Sequence, residues 1–350
     1  MKNLSKSDFM INENPVIFID GLVGGGKTLV SNLIGSIKDV EWWSSHSKFE
    51  QICNLDYNKK IEKDVASSLL VKFYNELYYD NLILRHSNFR KQDVSSIYNH
   101  PRQKEILNRI KYSDSFASKK VKKAKLILPF MTHFNTISSA TLFRSFGNKL
   151  VYVYLTRNPY NVYTLNHLAN WTDAWKKKKN RYGALTYYDK LNSQNIPAFI
   201  YNHKKEYLKI NKYEKAILIL KYFCDYNLNL RKMIKLKKKY KSKLVIIPYE
   251  KLTIDPVKYV KKLTKSLNKK IDDVLLKSLK ENKLPRKSNF VPKGINPTFE
   301  YNWQKNNKQK NLKFDEVDKF IKKKVSKKYF LEICNLNIKY NKFIKNLNEK

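Results

Sequence analysis

The sequence predicts an α/β protein: a doubly wound parallel sheet of phosphate-loop type with flanking helices, one domain over 1–350 with helical insertions. Three observations predict it. Short β-branched and aromatic runs recur along the chain, each followed by a helical pattern, which is the rhythm of a parallel sheet. The first run leads directly into Gly21-Leu22-Val23-Gly24-Gly25-Gly26-Lys27-Thr28, an unbroken G-x-x-x-x-G-K-T. No internal repeat and no Pro-rich or Gly/Ser-rich linker divides the chain, and 350 residues suffice for a large core.

The elements follow in order. Val16–Asp20 reads as the first buried strand, with a helix over about Lys27–Lys38. Ile61–Tyr79 carries apolar residues at three-to-four spacing and reads as a helix, as does Arg102–Lys111. Lys125–Leu128 is the second strand, ending near Thr132-His133; Leu150–Leu155 is the third and Leu244–Ile247 the fourth. The core runs over about 14–305, with a C-terminal helical extension over about 312–346. Residues 81–100 and 282–309 read as long irregular segments, which in compact domains often serve as lids or binding loops.

A strand, a glycine loop and a helix start are what phosphate binding needs. Glycines let the backbone curl so that N–H groups point inward, and the helix N-terminus adds roughly half a positive charge. Gly21, Gly24, Gly25 and Gly26 supply the turn, Lys27 meets a terminal oxygen, and Thr28 offers a hydroxyl. In open parallel sheets ligands sit at the carboxyl ends of strands. The residues just after each strand are therefore the place to search.

Bulk composition excludes several classes. Three widely spaced cysteines form no CxxC or Cys/His cluster, which argues against a disulfide framework or zinc site and suits a reducing compartment. The aliphatic runs are too short to span a bilayer, and no leader pattern precedes the first strand, so the expectation is a soluble, cytoplasmic protein. The net charge of +41 would attract polyanions. Lys, Asn, Ile and Tyr are nevertheless abundant even on ordinary exposed helix, as AT-rich coding produces. More than half of the excess is assigned to that bias.

The strand ends carry the chemistry. After the third strand comes Thr156-Arg157-Asn158-Pro159, where a guanidinium offers a fork for a second anionic group and proline opens a helix. After the fourth comes Tyr249-Glu250-Lys251-Leu252-Thr253-Ile254-Asp255-Pro256, and later Phe290-Val291-Pro292-Lys293-Gly294 with Trp303 downstream.

In this order, from Val16 to Trp303, these pieces resemble the sulfotransferase family, which takes sulfuryl groups from 3′-phosphoadenosine-5′-phosphosulfate (PAPS). The resemblance implies that the loop after the first strand holds the 5′-phosphosulfate and that Leu155–Pro159 (LTRNP) holds the 3′-phosphate. It also implies that FVPKG at Phe290–Gly294 closes on that phosphate through Lys293 and Gly294. YEKLTIDP is a frequent family feature, and Met131-Thr132-His133 looks like the segment carrying the family's histidine base. No metal is implied. The chain departs from the family in four places. Its loop is a true Walker type, so Lys27 must supply the cation that the family places where Gly24 stands. The 3′-phosphate serine falls on Leu165, with Thr164 one position off. Pro292 replaces an arginine, and His133 lacks its preceding lysine. Arg157 and Lys293 are expected as two cations away from the phosphate loop.

Two bases compete: His133 at a strand end, and Glu41 after the first helix, where glycan-modifying relatives carry a glutamate. His167, Trp171 and Trp175 either line an acceptor pocket or pack in the core. The acceptor, a hydroxyl or amine of a glycan or small molecule, is set by loops 81–100 and 172–203, and an anionic glycan suits the basic surface. A P-loop kinase or NTPase using ATP-Mg²⁺ is the alternative, although only Asp20 and Glu250 could hold the metal. A basic nucleic-acid-binding module is the third reading, without any recognised binding motif.

Overall fold

The computed structural model describes residues 10–22, 24–176, 185–286 and 314–348. Lys293, Gly294 and Trp303 lie outside the described residues. The strands are β1 (Val16–Gly21), β2 (Leu128–Met131), β3 (Leu150–Thr156), β4 (Thr186–Asp189), β5 (Gln194–Pro197) and β6 (Lys243–Pro248). Four of them form a parallel sheet in the order β2-β1-β3-β6. The expected α/β class with a central parallel sheet is therefore present.

Alternation along the strands sends side chains to both faces. Ile17, Ile19, Val151, Val153 and Val245 pack on one face under α1 (Lys27–Gly35). Val16, Phe18, Leu150, Tyr152 and Tyr154 pack on the other under α2 (Ser47–Tyr57) and α3 (Lys63–Leu82). The short helices α4 (Gln103–Leu107) and α5 (Asp114–Lys120) follow. Next come α6 (Ala140–Phe146), α7 (Val162–Lys176), α8 (Lys204–Lys209), α9 (Lys212–Phe223) and α10 (Tyr226–Tyr240). Beyond β6 lie α11 (Tyr249–Ile254), α12 (Pro256–Ser266) and α13 (Asp273–Glu281), with α14 (Phe314–Lys324) and α15 (Lys327–Asn348) at the C-terminal end.

The Asp255-Pro256 step of the YEKLTIDP segment has a local cause. Asp255 accepts the backbone N–H of Lys258 at 3.2 Å, while Pro256 occupies the first helical turn, so the pair starts α12.

Three sequence expectations shift. The second strand begins at Leu128 rather than Lys125 and carries Pro129 inside it. β2 closes one end of the sheet, where a missing N–H is tolerated, and the Pro129 carbonyl accepts Ser44 N–H from an extended segment alongside. The helix expected over Arg102–Lys111 is α4 followed by a single tighter turn over Asn108–Lys111. Within the loop expected over 172–203, β4 and β5 pair as an antiparallel hairpin.

Candidate active site

β1 lies between β2 and β3, so the loop after it is flanked by the loops that follow those two strands. This places residues 21–22, 24–28, 132–136 and 157–161 at one carboxyl edge of the sheet.

Gly26 is the N-cap of α1, at φ 91°, and makes no side-chain cap to the first turn of the helix. Only glycine fits there. A Cβ on Gly26 would sit 2.3 Å from the Tyr249 ring, and φ is in the left-handed region. Gly25 N–H closes the loop onto Leu22 O at 3.0 Å, and Gly24, at φ 75°, faces Tyr163 and His167.

Lys27 is buried and turns back on its own loop, donating to Gly21 O and Leu22 O at 2.7 Å each. That uses two of the three ammonium hydrogens. Burial lowers its pKa to about 8, with the charges of Asp20 and Glu50 opposing the fall. Thr28 follows it, half-buried, in the first turn of α1.

Arg157 directly follows β3 and is buried. It stands against the phosphate loop rather than away from it: Nη1 donates to Gly24 O, and the guanidinium lies 4.4 Å from the Tyr249 ring centroid and 5.4 Å from that of Tyr163. The reason is topological, since β3 is the neighbour of β1. Glu250 braces the same turn, accepting Asn158 N–H at 2.9 Å and the Tyr340 hydroxyl of α15. Thr164 does not reach this surface. Its hydroxyl is fully buried and has no hydrogen-bond partner.

His133 sits in the loop after β2. Glu50, on α2, accepts its backbone N–H at 2.7 Å and lies 3.3 Å from Nδ1. In the tautomer that donates from Nδ1 to Glu50, the Nε2 lone pair is the acceptor. His133 keeps 29% of its side-chain exposure and Glu50 only 5%, so the imidazole is the open member of the pair. Trp171 stacks beside His133 at 6.4 Å and donates from Nε1 to His167 Nε2 at 3.3 Å. His167 is held neutral: burial first, then the charges of Lys27, His133 and Arg157, lower its pKa to about 3. Trp175 is a core residue at 2% exposure.

Glu41 is elsewhere. It lies beside Ile127, just before β2, at the amino end of the sheet, and its carboxylate is paired with Arg109 at 2.5 Å. The structure thus brings Lys27, Arg157 and His133 together, adds Glu50, and separates Glu41 from them. Sequence reading missed Glu50. The available signal was an acid inside the buried stripe Phe49, Glu50, Cys53, Asn54 of an otherwise amphipathic helix.

Among the described residues no group of three His, Cys, Asp or Glu side chains is placed to hold a metal ion, and no helix is long and apolar enough to cross a membrane. No protein-family model matches the chain. No curated protein matches it by sequence. Solved structures similar to it include sulfotransferases. One is the sulfotransferase domain of the olefin synthase of Synechococcus PCC 7002, at TM-score 0.46 and 14% identity over 97% of this chain and 98% of that chain. Another is the sulfotransferase domain of the curacin biosynthetic pathway, at TM-score 0.41 and 13% identity over 93% and 97%. A third is a sulfotransferase from Mycobacterium avium, at TM-score 0.39 and 10% identity over 97% and 78%.

Proposed function

We propose that the protein is a sulfotransferase, moving a sulfuryl group from PAPS to a hydroxyl or amine of an acceptor. The observation that carries this reading is that Lys27 and Arg157 both engage one glycine loop, while the Glu50–His133 pair, from α2 and the loop after β2, lies at the same edge of the sheet. The order of the sequence motifs supports it independently.

The donor supplies a sulfur–oxygen bond already activated by a phosphate leaving group. The amides of the first turn of α1, the third hydrogen of Lys27 and the Arg157 guanidinium are the groups that would hold its anions. As charge builds on the leaving oxygen, a fixed ammonium in a water-poor site stabilises it more than the ground state, an effect of about 10²–10³ per donor. His133 takes the acceptor proton at Nε2 as the new bond to sulfur forms. The bond from sulfur to the phosphate oxygen breaks with its electron pair left on phosphate. A base so placed contributes about 10²–10⁴-fold.

The Walker loop favours a second reading, an ATP-dependent enzyme. Magnesium would then need a carboxylate at a strand end. Both acids available by sequence are already engaged, Asp20 by four donors and Glu250 by Asn158 and Tyr340. A thermal-shift comparison decides. Adenosine 3′,5′-bisphosphate should raise Tm without metal and ATP should do less. Stabilisation by ATP-Mg²⁺ alone would overturn the sulfuryl reading in favour of the kinase.

A further inference from the structure

Asp20, one residue from the end of β1, has no solvent exposure. Its Oδ1 accepts the Thr132 hydroxyl at 3.2 Å and Asn135 N–H at 3.3 Å. Its Oδ2 accepts the Thr136 hydroxyl at 2.7 Å and the Tyr152 hydroxyl at 2.9 Å. A buried carboxylate is tolerated when its lone pairs are filled in this way. Three of the four donors belong to the single loop 132–136, and His133 lies between them.

The same loop contains Phe134 at φ 58°, a left-handed conformation that a bulky residue adopts only where its surroundings enforce it. The Phe134 ring is buried, stacked on Phe199 at 4.6 Å and edge-on to Trp175 at 5.3 Å. The loop is thus held by an aromatic socket on one side and by the Asp20 carboxylate on the other. Asp20 is also bonded through the backbone to Gly21, whose carbonyl receives the Lys27 ammonium.

We propose that Asp20 is a positioning residue for His133: its buried carboxylate pins loop 132–136 to the root of the phosphate loop. One side chain then fixes where the base stands relative to Lys27. The inference rests on the reading of His133 as the base. The Asp20 charge acts in the same direction on Lys27, opposing the loss of its proton caused by burial. By sequence, Asp20 enters only as a metal ligand of the ATP-dependent alternative.

The test uses the full chain and four variants. Thr136→Val removes one bond to Asp20 at nearly constant volume, and Thr136→Ser restores the hydroxyl. Asp20→Asn keeps the shape but replaces one acceptor by a donor. His133→Gln identifies the His133 imidazole resonance in histidine-labelled protein by its loss. Thr136→Val should raise amide exchange in the peptide 130–138 about fivefold or more, the factor for one lost hydrogen bond. It should also move the His133 resonance. Thr136→Ser should return both to wild type, and Asp20→Asn should exceed Thr136→Val on both measures. An unmoved His133 resonance in Thr136→Val and Asp20→Asn overturns the proposal. So does an exchange increase spread evenly over β1 and β3, which would make Asp20 a general brace of the core. Tm with adenosine 3′,5′-bisphosphate is read on the same samples. A wild type that does not respond sinks the sulfuryl reading and leaves the loop measurement standing.

Discussion

Two acids lie at opposite ends of the same sheet, each against a basic group, and they differ in one respect. At the amino end, Glu41 meets Arg109 with side chains 8% and 9% exposed, so both partners are sealed. At the carboxyl end, Glu50 is sealed at 5% but His133 keeps 29% and stands beside the phosphate loop. A closed pair can only hold the fold together. A pair with one open member, oriented by the other, can exchange a proton with something outside. On the proposed reading, Glu41 is a structural acid, and the acid nine positions further along, Glu50, is the one that orients the base.

The sharpest way to break this contrast is to cross the two sites. His133→Ala should lose about 10²–10⁴ in turnover while Tm with adenosine 3′,5′-bisphosphate still rises. Glu41→Gln should leave turnover within a few-fold of wild type. It should cost about 3 kcal/mol of stability, because Arg109 is left buried without its counter-charge. Denaturant unfolding and a turnover assay on the same preparations read both. If Glu41→Gln lost chemistry and His133→Ala did not, the amino end of the sheet would hold the site.

The contrast also explains what could be read from sequence. The phosphate loop was legible because its cause is local: glycine backbone freedom, one lysine and a helix start. The strands β1, β3 and β6 were legible because burial on both faces demands continuous apolar runs. The position of Arg157 just after β3 was legible for the same reason, although its contact with Gly24 was not, since strand order is not written in any one segment. Glu50 was not legible. It meets His133 across 83 positions of sequence, and only the packing of α2 on the sheet makes that acid different from its neighbours. The hairpin β4–β5 was missed because Ser193, at φ 48°, closes its turn where a glycine would have marked it.

A smaller effect is expected at Arg157, where a ligand-binding role and a bracing role coexist. Arg157→Lys keeps the charge and loses the planar fork that reaches Gly24 O and stacks on Tyr249. Affinity for adenosine 3′,5′-bisphosphate should fall about tenfold, a loss of ~1.4 kcal/mol. Affinity for adenosine 5′-phosphate should change little. Equal losses for the two nucleotides would show that the arginine serves the phosphate loop itself and not a second phosphate.

The smallest expected signal is a fraction of a proton, and it bears on whether Lys27 meets the ligand at all. With its pKa lowered to about 8 by burial, Lys27 is about half charged at pH 8. An anion placed against it favours the ammonium, so its pKa rises and the complex takes up protons. Uptake should approach half a proton at pH 8; near pH 6 the Lys27 contribution vanishes, because Lys27 is already charged, and the half-protonated ligand phosphates release protons instead. The groups facing Lys27 are Asp20, Glu50, His167 and Arg157. Arginine stays protonated throughout, and His167, held to about 3, stays neutral across this range. The ligand phosphates, with a second pKa of about 6, are fully ionised at pH 8. Calorimetry in buffers of different ionisation enthalpy measures the uptake. Lys27→Arg should abolish it, and His133→Gln should preserve it at pH 8. Uptake that survives in Lys27→Arg would assign the titration to another group and leave Lys27 as a brace of the Gly21 and Leu22 carbonyls.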